Sequence, residues 1–114
     1  MEAKEPKNLS HTDICLLLDF YGQLLAVRTR EIMDLHFAED MSLSEIAEDL
    51  GITRQAVHDR LRQGEHSLTV FETKLGLVER FKTQRNCIDE AIRALEQGYA
   101  DVAKNKLLQL NGLL

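Results

Sequence analysis

Residues Ser42 to Arg62 read SLSEIAEDLGITRQAVHDRLR, and this stretch decides the fold. Ser42 is a favoured helix N-cap, and Glu45 three residues on completes a capping box. Leu43, Ile46, Ala47 and Leu50 then recur at helical spacing. Gly51 stops that helix, because the left-handed backbone of a tight turn costs Gly little. Ile52 plugs the turn and Thr53 caps a second helix, which buries Ala56, Val57 and Leu61 and turns Arg54, Gln55, His58, Asp59 and Arg62 outward. Small Ala47 suits a point where two helices cross closely, since a larger side chain would part them. Caps, small residue and glycine all agree on a helix-turn-helix over 42–62. Whether it binds DNA is a separate inference, because function resides in particular side chains rather than in a fold.

Outward from the motif the pattern stays helical. Pro occurs once, at Pro6, and no run alternates β-branched residues, so the chain reads as all-α. At 114 residues it is one compact domain, or a small domain with an appendage. Residues 1–9 are polar and read as a flexible N-terminus, 10–75 as the helix-turn-helix domain, and 76–114 as a C-terminal helical extension. Ser10 and Asp13 form another capping box, and Ile14, Leu17, Leu18, Tyr21, Leu24 and Leu25 line one face of a helix to about Ala26. Tyr21 and Phe20 read as core and rim. Val27 to Ala38 forms a second helix, beginning near Thr29. After Arg62, Val57, Leu61, Gly64, Leu68, Phe71, Leu75 and Val78 make a heptad-like seam that continues the motif's second helix. Gly64 and Gly76 weaken it by about 1 kcal/mol each, with a bend or break expected near Gly76. Leu61, Leu68, Phe71, Leu75 and Val78 need a covering partner: the N-terminal helix, the C-terminal helices or a second copy of the chain, and a homodimer is the expectation. Phe81, Ile88, Ala91, Ile92 and Leu95 extend a stripe to Gln97, Gly98 stops it, and Asp101 to Leu114 makes a last amphipathic helix. This hairpin reads as closure of the core or of a dimer interface, or as a dock for a partner helix.

Charge is unevenly placed. The formal net charge is -5. Residues 1–53 carry four basic and eleven acidic side chains, whereas 54–114 carry ten basic and eight acidic. From Glu31 to Thr53 there are seven carboxylates and no Lys or Arg. DNA affinity rests on phosphate neutralisation, so this balance argues against strong non-specific binding. A local cluster remains: Arg54, Gln55, His58 and Arg62 are candidates to read bases, with Thr53 and Arg60 to hold phosphate.

Other chemistry finds little support. Cys15 and Cys87 lie inside helical apolar patterns without metal or redox spacing, and read as buried free thiols of a reducing compartment. His11 and Cys15 are four apart, a single pair without the second that a metal site needs, and His36 has no placed nucleophile or carboxylate. No phosphate-binding glycine loop is present, so neither catalysis nor a cofactor is expected. Apolar runs are too short for membrane insertion and no signal sequence opens the chain, which places it in the cytoplasm.

The segment from Thr29 to Arg62 resembles the promoter-recognising fourth region of bacterial sigma factors, implying a helix-turn-helix bundle of that type with a long C-terminal helical extension. Over residues 13–82 the chain is closer still to the YlxM family of small bacterial helix-turn-helix proteins, with DFYGQLL near the start and SLSEIAEDLGITRQAVHDRL in the motif. Genes of that family lie beside the gene for the signal recognition particle GTPase. The resemblance therefore implies a regulatory or accessory role in co-translational targeting, with the particle's protein or RNA as partner. The alternative is a sequence-specific DNA-binding transcriptional regulator.

Overall fold

The structure, a computed structural model, describes residues 9–113. The N-terminal stretch read as flexible, except Leu9, and the final Leu114 lie outside the described residues. Six α-helices follow in order: α1 His11–Tyr21, α2 Val27–Phe37, α3 Leu43–Leu50, α4 Arg54–Leu75, α5 Leu77–Glu96 and α6 Ala100–Leu113. Among the described residues there is no strand. The fold is all-α, and the chain divides into two compact units between Gly76 and Leu77.

In the first unit the caps act locally. The Ser10 hydroxyl accepts from the Asp13 N–H at 3.0 Å, while the Asp13 carboxylate accepts from the Ser10 N–H at 3.2 Å. Helix α1 ends at Tyr21 rather than near Ala26, and a single 3-10 turn over Gly22–Leu24 follows. That turn changes the helical phase, so Leu24 is exposed while Leu25 is buried. Helix α2 starts at an exposed Val27. It closes through a left-handed Asp40, φ 60, with the Met41 N–H donating to Leu35 O at 3.0 Å. His36 clamps the same turn: its Nδ1 lies 2.8 Å from the Met41 carbonyl, which can only accept, so Nδ1 carries the proton.

The core joins α1, α2, α3 and the first two-thirds of α4 through Ile14, Tyr21, Ile32, Ile46, Val57 and Leu68, all fully buried or nearly so. Each such side chain contributes about 1.5 to 3 kcal/mol on burial. Gly64 sits where α4 crosses α2. A Cβ there would fall on the Met33 sulfur and come within 3.0 Å of Met33 Cγ and 3.1 Å of Thr29 Cγ2. Close approach of the two helices therefore requires a residue without a side chain. Tyr21, fully buried, donates to Glu72 Oε1 at 2.6 Å and packs against Phe71 with ring centroids 5.9 Å apart.

Gly76 adopts a left-handed conformation, φ 63, and ends α4 at Leu75. The heptad-like stripe is thus cut. Leu61 and Leu68 are buried in the first unit's own core, Phe71 is half-buried, Leu75 is exposed, and Val78 is buried within α5 of the second unit. The left-handed residue ends the helix that carried the register.

The second unit is a helical hairpin. Gly98, φ 83, makes the turn, and the Tyr99 N–H donates back to Ala94 O at 2.8 Å. The Cys87 thiol donates to the Lys106 carbonyl, and Lys106 Nζ pairs with Glu90 Oε1 at 3.0 Å. Its buried side chains are small: Val78, Cys87, Ala91, Ala94 and Ala103. Phe81, Ile88, Ile92 and Leu95, read from the sequence as a continuing apolar stripe, are exposed.

Candidate functional site

Helices α3 and α4 build the site from their caps outward. The Ser42 hydroxyl accepts from the Glu45 N–H at 3.1 Å, and the Glu45 carboxylate accepts from the Ser42 N–H at 2.8 Å. That backbone hydrogen bond first, and the Ser42 hydroxyl second, hold the Glu45 carboxyl below the usual carboxylate range. Gly51, φ 69, is left-handed, and the Ile52 N–H donates to Ala47 O at 3.0 Å. Thr53 Oγ1 then accepts from the Ala56 N–H at 3.0 Å and starts α4. Burial of Ile46 and Ala47 on one side, and of Val57 and Leu61 on the other, fixes which face of α4 meets solvent.

Arg54, Gln55, Asp59 and Arg62 are exposed on that face, with His58 half-buried beside them. The six candidate nucleic-acid residues differ sharply in what they have left to offer. Thr53 has its hydroxyl oxygen committed as the helix cap. Gln55 Nε2 donates to Asp59 Oδ1 at 2.9 Å along the same helix. His58 has its Nδ1 shielded from solvent and 3.8 Å from Asp59 Oδ1, too far for a hydrogen bond. Arg60, assigned from sequence to a phosphate, turns toward α2 and donates to Thr29 Oγ1 at 3.2 Å. Arg54 and Arg62 alone of the six have no hydrogen bond or ion pair among the described residues. Eight residues apart, they stand about 12 Å from one another along the helix.

Sequence reasoning placed the outward face of α4 but missed the Arg60–Thr29 contact, which spans 31 residues and leaves no local trace. The neighbouring surface belongs to α3, whose exposed Glu48 and Asp49 have no partner among the described residues. The motif thus carries two free cations on α4 and two free carboxylates on α3. Elsewhere, no group of three His, Cys, Asp or Glu side chains among the described residues is placed to hold a metal ion. His11 instead packs on Phe37 with ring centroids 5.4 Å apart, and both cysteines are free thiols, Cys15 half-buried and Cys87 buried. No helix is long and apolar enough to cross a membrane.

Comparison with known proteins adds a family. The sequence profile of UPF0122, described as "Putative helix-turn-helix protein, YlxM / p13 like", matches residues 10–108. A UPF0122 protein of Desulforamulus reducens is 43% identical over 101 residues, covering 89% of this chain and 86% of that protein. One from Acetivibrio thermocellus is 51% identical over 84 residues, covering 74% and 67%. A third, from Shouchella clausii, is 39% identical over 92 residues, covering 81% and 84%.

Proposed function

From the premise that the chain belongs to the UPF0122 family of YlxM / p13-like helix-turn-helix proteins, we propose that it is a non-catalytic regulatory or accessory protein of the signal recognition particle pathway. Its helix surfaces engage a basic protein or ribonucleoprotein component. The observation that carries this reading is the charge of the motif: Glu48 and Asp49 of α3 are exposed and uncommitted beside α4. These carboxylates complement a basic surface, where they steer encounter and select the partner, and they offset the two cations of α4 in any approach to phosphate. The targeting pathway itself rests on the resemblance to YlxM proteins and on where their genes lie.

The test is capture of cytosolic components on the immobilised full chain, with and without nuclease, followed by titration of the recovered particle protein or RNA. Glu48→Lys with Asp49→Lys is expected to weaken that binding at least tenfold while the melting curve is kept. Unchanged affinity would remove α3 from the interface, and recovery of no particle component would overturn the pathway.

One observation favours a second reading, sequence-specific DNA binding. Arg54 and Arg62 are exposed and uncommitted on the outward face of a helix of the kind that enters a major groove. On that reading Arg54→Ala abolishes binding to one defined duplex without unfolding the protein, and retained binding by this variant would sink it.

A further inference from the structure

The second unit has its apolar side chains in an unusual order. The small ones are inside and larger ones outside: Phe81 is 40% exposed, Ile88 37%, Ile92 49% and Leu95 57%. A two-helix hairpin filled by Val78, Cys87 and alanines buries little apolar surface for its length. The larger side chains of α5 remain on one stripe, and α6 exposes Val102, Leu107 and Leu108 separately. We propose that this stripe pairs antiparallel with the same stripe of a second copy of the chain, about a two-fold axis between Ile88 and Ile92.

Periodicity argues for a helix as the occupant. Leu77, Phe81, Ile88, Ile92 and Leu95 follow one another at four, seven, four and three residues, the spacing of a seam that receives another helix rather than a flat surface. Symmetry argues for the same helix. With the axis between Ile88 and Ile92, each of these two faces the other across the interface, and Leu95 comes to the level of Arg85 of the second copy, whose aliphatic stem can pack on it. An isologous contact of this kind asks only that one patch be complementary to itself.

Charge fixes the direction. Beside the stripe, exposed Arg85 stands before the axis and exposed Glu96 after it. Glu96 has no partner among the described residues, and Arg85 is held only by a loose contact to Asp89 at 3.7 Å. In an antiparallel pair like flanks of the two helices meet, so Arg85 comes opposite Glu96 of the second copy, twice per dimer. In a parallel pair unlike flanks meet instead, and Arg85 and Glu96, which share one flank, would lie on opposite sides of the seam. The proposal is independent of the function proposed above, because the motif face of α3 and α4 takes no part in it.

Sedimentation equilibrium on the full chain tests it, with circular dichroism confirming helix content. The expected result is a dimer at tens of micromolar, shifted to monomer by Ile88→Glu. Arg85→Glu and Glu96→Arg are each expected to weaken association about fivefold, and an equimolar mixture of the two restores it, since each chain then carries what the other lacks. Both charge variants alter exposed side chains, so they read the contact even where Ile88→Glu loses helix. A wild-type chain that stays monomeric, because its own first unit or a different protein covers the stripe, overturns the proposal. So does a mixture that associates no better than the single variants.

Discussion

Gly64 shows how much one missing side chain can decide. From sequence it reads as a weak point, costing α4 about 1 kcal/mol relative to Ala. In the structure it is the contact that lets α4 approach Met33 and Thr29 of α2. Met33 is fully buried, so it can yield to an added methyl only by displacing its neighbours in the core. Overpacking of this kind costs about 1 to 3 kcal/mol, more than the gain in helix propensity. Gly64→Ala is therefore expected to lower the melting temperature by several degrees, and a rise would show that Met33 has room to yield. Leu61 lies at the same junction, serving the motif and the long helix at once. Leu61→Ala is expected to cost on the order of 2 to 4 kcal/mol in denaturant unfolding, and an unchanged midpoint would contradict its burial.

At the scale of elements, what could be read was what is local. Ser10 with Asp13, Ser42 with Glu45, and Thr53 with the α4 backbone each span three residues, so their hydrogen bonds follow from spacing alone. The left-handed stops at Gly51, Gly76 and Gly98 are equally local. What escaped was set by distant neighbours or by phase. The 3-10 turn after Tyr21 exposes Leu24 although it continues the helical stripe. Arg60 carries no sign of its bond to Thr29, and nothing in the α5 pattern tells an exposed stripe from a buried one. The local caps also have a pH signature. Because the folded Glu45 carboxyl is held below its ordinary value, it stabilises α3 above the unfolded pKa, and that contribution is lost as pH falls through the folded one. Glu45→Gln should thus be less stable than wild type at neutral pH, with the gap in melting temperature closing on acidification; a constant gap would exclude the charged cap as its source.

For the whole molecule, net charge sets what the motif can do. If Arg54 and Arg62 are the only cations brought to the duplex, about two counterions are released, so log affinity should fall with log salt at a slope of about -2, roughly a tenfold loss from about 50 to 200 mM salt. A much steeper slope, measured by fluorescence anisotropy, would mean that the second unit's lysines and arginines join the contact. One feature of the first unit also bears on its opening. The Met33 sulfur lies closed off between Gly64 and the rest of the core, with no room for an added oxygen. Burial shields it from peroxide until the core opens, and the sulfoxide, polar and larger, then opposes repacking. Met33 oxidation is then a clock for how often this core opens, and once it has struck, the opened state is kept.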